Sequence, residues 1–242
     1  MVGGIAGFNR AGSAVAITQC ASMASVEGFY AGGLVGISYA NISKSSFGYV
    51  DGGTAFRVTK AKVTGFYAGG LVSLAVSGTV SDCYTICDII GATFTGKSAD
   101  WTKVTLNTAA NMVCSQEVSA KAGFSVFVIN KAVIKNCYAV VDFSSDGINF
   151  ATTLTEVQRS DADRAKYNYG TLKNCAYQTY GNYNNGGTRL TQEQFQGGGN
   201  NYKAFIQVGF DTTTIWDIKT NGGAYPRFYK ISTQLPQAPT AY

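Results

Sequence analysis

Six cysteines, fourteen carboxylates and no histidine bound the chemistry open to this chain of 242 residues. Without imidazole there is no His-based metal site, no Ser-His or Cys-His nucleophile pair and no histidine pH sensing. The cysteines, at 20, 83, 87, 114, 137 and 175, include no Cys-x-x-Cys pair, and the nearest two are Cys83 and Cys87. Cys87 and Cys114 are the one pair open to a bridge. Carboxylates close enough in sequence to share proton work are Asp82 with Asp88 and Asp161 with Asp163, the candidates for a polysaccharide lyase or hydrolase. Asp161 and Asp163 lie in the best helical segment, Leu154 to Arg164, where a solvated helix face is the simpler account. Aromatic and amide side chains offer another chemistry, stacking on and hydrogen bonding to a glycan: Trp101, and Tyr180, Asn182, Tyr183 and Asn184 in a Tyr/Asn-rich turn stretch. The simpler account makes Trp101 a packing anchor and the stretch a cover for a sheet edge.

Two patterns must position these residues. The octapeptide Gly-Phe-Tyr-Ala-Gly-Gly-Leu-Val occurs at Gly28 to Val35 and again at Gly65 to Val72, a spacing of 65 − 28 = 37 residues in the range of solenoids, propellers and arrays. Val2 to Gly7 matches Ala31 to Gly36 position by position, and Lys121-Ala122-Gly123-Phe124 is a weaker echo. After each comes an aliphatic residue, two others, then Cys or Ser: Ile17 to Cys20, Ile42 to Ser45, Val80 to Cys83, Ile134 to Cys137 and Leu172 to Cys175. Short strands stacked at about 4.8 Å would place Cys20, Ser45, Cys83, Cys137 and Cys175 in one internal column, with Lys44, Asp82, Lys135 and Lys173 facing out. Four of six cysteines on one repeat position read as a buried structural ladder in preference to disulfides or metal ligands.

The repeat is interrupted by insertions at about 92–119 and about 148–166, prime places for binding because solenoid insertions collect on one face. Beyond residue 187, Thr191 and Gln194 form a capping-box pattern on a short helix. Trp216 and Phe228 are large enough to plug the open end of the stack, and 231–242 reads as an extended tail. The first strand has no amphipathic cap, so its edge is open to pairing with another chain.

Composition agrees with an all-β chain. Only 14% of residues are charged against roughly 25% in an ordinary domain, and glycine stands at 29 beside three prolines. The formal charge of +5 comes from scattered Lys and Arg with no basic run, so no nucleic-acid partner is expected. No stretch reaches the roughly 18 apolar residues of a membrane span, and the opening Met1-Val2-Gly3-Gly4 lacks a charged n-region. These features predict a soluble chain without an export signal, either part of a secreted protein or a virion component.

The Gly-Gly-Leu-Val-Gly core at Gly32 to Gly36, its partial copies at Gly3 to Gly7 and Gly69 to Val72, and Asn136-Cys137-Tyr138-Ala139 resemble the GLUG-motif repeats of bacterial surface adhesins and secreted peptidases. The C-terminal elements Leu190-Thr191, Gly209-Phe210-Asp211, Trp216-Asp217-Ile218 and Tyr225-Pro226 look like the usual close of such arrays. Ser73, where the motif has glycine, the degraded copy at Ala122 to Phe124 and the two insertions depart from it. The resemblance implies a right-handed parallel β-helix, here about five to six coils over 1–187 with a capping region at 188–230, and implies no catalytic residues and no cofactor. The function expected is a structural or adhesive module of a cell-surface adhesin or a phage fibre, outside the cell or on a virion. Its partners would be a host-surface glycan or protein, or neighbouring subunits in a homo-oligomer. A polysaccharide-degrading β-helix enzyme and a self-assembling fibre or virion subunit are the alternatives.

Overall fold

A computed structural model of the chain describes residues 1–10, 16–48, 61–91, 120–128, 132–142, 149–153, 170–178, 187–196, 202–218 and 225–228. Within them the protein is mostly β, with two short helices at Gln192–Gln196 and Lys203–Val208. The strands come in sets that answer to the repeat. The first set is β1 (Val2–Gly3), β2 (Ala6–Asn9), β3 (Ile17–Thr18) and β4 (Ala21–Ser22); the second is β5 (Val26–Gly32), β6 (Val35–Ser38), β7 (Ile42–Ser43) and β8 (Ser46–Phe47). The third is β9 (Lys62–Gly69), β10 (Val72–Ala75), β11 (Thr79–Ser81) and β12 (Tyr84–Gly91). Then follow β13 (Ala120–Val128), β14 (Val133–Lys135), β15 (Tyr138–Asp142), β16 (Asn149–Thr153), β17 (Thr171–Lys173), β18 (Ala176–Gln178) and β19 (Thr188–Arg189).

Each set lies beside the next as one rung, and every rung-to-rung pairing is parallel. The larger sheet has a longest run of nine strands; the smaller, β17-β14-β11-β7-β3, has five. The register is that of the repeat: Val2 opposes Ala31, Ala6 opposes Val35, and Tyr30 opposes Tyr67. Ile17, Ile42, Val80, Ile134 and Leu172 form one row across the smaller sheet. That row and the opposing Leu34, Val35, Leu71, Val72 and Phe124 bury their side chains together, so the core is closed only by adjacent rungs covering one another.

The glycine pair of the octapeptide answers to crowding between rungs. A Cβ on Gly33 would lie 2.1 Å from Gly70 O and 2.3 Å from the Phe47 ring, and one on Gly70 would lie 2.0 Å from Gly123 O. Ser73, the departure from the glycine pattern, is buried and turns its hydroxyl to Tyr67 O at 2.8 Å, which satisfies the side chain locally.

Gly91 is in register with Gly65 and Ala120 with Tyr67, so the end of β12 and the start of β13 face β9 on either side of the position that Phe66 fills. Within the second expected insertion, about 148–166, Asn149–Thr153 is a strand pairing with β13, and its register shifts twice.

The C-terminal region does not plug the end of the stack. Leu190, Phe195, Phe205, Phe210, Trp216, Tyr225 and Phe228 pack on the outward face of β12, β15 and β18, against Tyr84, Ile86, Tyr138, Val140 and Ala176. Strand alternation makes this unavoidable, since those strands carry apolar residues on both faces. An antiparallel pair, β20 (Trp216–Asp217) and β21 (Arg227–Phe228), closes the lobe.

Candidate functional site

The repeated tetrapeptides turn a corner between the smaller sheet and the next strand of the larger one. Their third residues, Gln19, Lys44, Asp82, Asn136 and Asn174, all have positive φ, between 47° and 54°. That left-handed conformation is tolerated best by Asn and Asp, whose short polar side chains bond locally. Here the polar groups also bond along the stack: Asn174 Nδ2 donates to Asn136 Oδ1 at 3.1 Å, and Asn136 Nδ2 donates to Asp82 Oδ1 at 3.0 Å. An unbroken amide chain thus ends on a carboxylate. The signal for it lay in the sequence, as Asp or Asn before Cys in three of five copies.

The fourth residues form the expected internal column. Ser45, Cys83, Cys137 and Cys175 are buried, while Cys20, on the first rung, is half-buried. Each side chain donates to the carbonyl two residues back: Cys20 to Thr18 O at 3.3 Å, Ser45 to Ser43 O at 2.8 Å, Cys83 to Ser81 O at 3.1 Å, Cys137 to Lys135 O at 3.1 Å and Cys175 to Lys173 O at 3.3 Å. Four of those carbonyls also accept the corner N–H of the rung before, as from Asp82 N to Lys135 O at 3.1 Å. A small hydrogen-bonding side chain is therefore what the position requires. Burial holds the Cys137 thiol well above its ordinary pKa and pushes Cys175 up to about 12. The same desolvation pushes Cys87 to about 12, beside Thr85 Oγ1 at 3.3 Å. Cys20, Cys83, Cys87, Cys137 and Cys175 are all free thiols. Among the described residues no cluster of three or more His, Cys, Asp or Glu could hold a metal ion, and no helix is long and apolar enough to cross a membrane.

Asp82 and Asp88 are not brought together. Asp82 is at the corner and accepts from Asn136, whereas Asp88 is six residues on, along β12, on the order of 15–20 Å away by strand rise. Register instead sets Asp88 between Lys62 of β9 and Asp142 of β15, a row the sequence alone does not disclose. Trp101, Cys114, Asp161, Asp163, Tyr180, Asn182, Tyr183 and Asn184 lie outside the described residues, as does the helical segment expected at 154–164.

Between corners, the smaller sheet shows solvent a polar face. Thr18, Lys135 and Lys173 are exposed, Ser43 and Ser81 are half-buried, and Ser43 Oγ donates to Thr18 Oγ1 at 3.1 Å. Register brings Lys135 and Lys173 side by side, and Lys44, also exposed, stands at the adjoining corner. Comparison with family models, with curated proteins and with solved structures finds no match.

Proposed function

We propose that this chain is a right-handed parallel β-solenoid of the GLUG-like kind, a non-catalytic module for attachment in a cell-surface adhesin or a phage fibre. The observation that carries the reading is the five-fold corner row, Gln19 to Asn174, in which widely separated segments share one register and one backbone conformation. Such a stack offers long flat faces that suit an extended surface or polymer. Asp82, the carboxylate at its corner, is engaged by an amide, which leaves it poorly placed for proton transfer.

The test is a glycan array probed with the full chain, run beside a reducing-end assay on each polysaccharide that binds. Saturable binding without cleavage is expected. Cleavage that Asp88→Asn or Asp142→Asn abolishes would instead establish the polysaccharide-degrading reading, for which the Asp88 and Asp142 rung pair is the best-placed candidate.

One observation favours assembly as a second reading. Of the five exposed large hydrophobic residues among those described, four, Met1, Ile5, Phe8 and Met23, lie on or beside the strands of the first rung. Their counterparts one rung on include Leu34 and Ile37, both fully buried. Light scattering after size-exclusion chromatography, over a wide concentration range, should show association that Phe8→Glu weakens; a monomer at every concentration would remove this reading.

A further inference from the structure

We propose that the outward face of the five-strand sheet is a binding surface for an anionic polysaccharide, engaged by Lys44, Lys135 and Lys173. The inference rests on the adhesive reading and names its ligand class. Lys135 and Lys173 are in register on neighbouring strands, side by side at a rung spacing of about 4.8 Å, and both are exposed. Like charges directly opposite in a sheet oppose folding, and a bound anion would offset that. Among the described residues no carboxylate forms an ion pair with Lys44, Lys135 or Lys173.

The remaining charge on the face points the same way. Asp82 is the one carboxylate there among the described residues; it is half-buried and accepts a hydrogen bond from Asn136. Lys44 stands two rungs before Lys135, about 10 Å along the stack, at the corner one residue beyond Ser43, so it flanks the row of Lys135 and Lys173 as a third cation. A compact anion would meet the Lys135 and Lys173 pair alone, whereas an extended polymer with acidic groups at short intervals reaches Lys44 as well. The hydroxyls of Thr18 and Ser43 beside that row are donors and acceptors suited to sugar hydroxyls.

The experiment is titration calorimetry of the full chain with polygalacturonate, with dextran as the neutral polymer and an oligothymidylate as the competing polyanion. Wild type is expected to bind polygalacturonate, more weakly as salt rises. Lys135→Gln/Lys173→Gln should weaken it at least tenfold, and Lys62→Gln, an exposed lysine on the larger sheet, should not change it. Because the double change removes a like-charge pair, its melting temperature should match or exceed wild type, which separates lost binding from lost fold. Absence of polygalacturonate binding, or binding that the double variant retains, would overturn the proposal. Tighter lysine-dependent binding of the oligothymidylate would overturn it too, in favour of nucleic acid. Binding of neutral glycans with no role for the lysines would sink this inference and leave the adhesive reading standing.

Discussion

Strands β12, β15 and β18 serve two cores at once, and the two are built on different principles. Their inward residues, Cys87, Ile89, Ala139, Val141 and Tyr177, join a core of mostly aliphatic side chains and thiols in which each rung repeats the one before. Their outward residues belong to a lobe with eight aromatic side chains among the described residues, none at a repeat position of another except Tyr84 over Tyr138, stacked at 5.2 Å and 7°. In the inner core, backbone register decides position, and like residues recur at one place from rung to rung. In the outer lobe, ring geometry decides: Trp216 lies 5.3 Å from Tyr138 and 4.9 Å from Phe228, and Phe205 stacks on Phe210 at 3.9 Å. Tyr138 OH donating to Pro226 O, and Tyr225 OH donating to Gln178 Oε1 at 2.6 Å, fasten the lobe to the sheet. A register core fails as a whole, whereas an aromatic lobe is expected to loosen by itself.

That contrast can be broken most forcefully at Gly33. Gly33→Val places side-chain atoms where Gly70 O and the buried Phe47 ring already sit, the first of them backbone of the next rung that cannot yield. A cost of about 3 kcal/mol or more is expected, with loss of the parallel-sheet circular dichroism signal and of the lobe together. Trp216→Ala should cost about 3–5 kcal/mol but act on one side only. Near-ultraviolet dichroism and limited proteolysis would report a loosened lobe while far-ultraviolet dichroism held. Concerted loss of both signals in Trp216→Ala would show that the two cores are one cooperative unit.

Thiol reactivity sharpens the same comparison at smaller effect. With burial holding Cys87, Cys137 and Cys175 far from the thiolate form, iodoacetamide at pH 8 should spare them in the native protein, and half-buried Cys20 should label first. In Trp216→Ala the order should not change, because the thiols belong to the inner core. Rapid labelling of Cys137 before global unfolding would contradict a closed register core.

The inner core was legible because its residue types recur: Ile-x-x-Cys and its variants mark the same wall of every rung, and Gly-Gly-Leu-Val marks the opposite one. Asn149–Thr153 escaped notice because it pairs without the glycine signature. The placing of the lobe escaped because aromatic identity carries no direction; the alternation of Tyr84 with Ile86, and of Tyr138 with Val140, on strands already apolar inside was the available clue. Lys135 and Lys173 are far apart in sequence, and only strand pairing puts them side by side, with Lys44 at a corner two rungs before Lys135.

The smallest expected effect lies in the lobe, at Asp211, and shows how local its determinants are. The carboxylate closes a turn by accepting from Thr213 N at 2.9 Å, Thr213 Oγ1 at 2.7 Å, Thr214 N at 3.0 Å and Thr214 Oγ1 at 2.5 Å, while Asp211 O receives Trp216 N at 2.9 Å. The Thr214 and Thr213 hydroxyls, then the two amides, hold its pKa well below the usual carboxylate range. A depressed folded value stabilises above the unfolded pKa of about 3.9, and that stabilisation drains away as pH falls toward the folded one. Asp211→Asn should therefore melt slightly below wild type at pH 7, and the gap should narrow as pH drops below about 4. The residue is fully exposed, so solvent keeps the difference small. A gap that stayed constant from pH 7 to pH 3 would mean that the turn needs only a hydrogen-bond acceptor and not a charge. If it narrows as expected, the lobe holds Trp216 in place through a six-residue window of sequence, Asp211 to Trp216, where the inner core needs contacts drawn from five rungs.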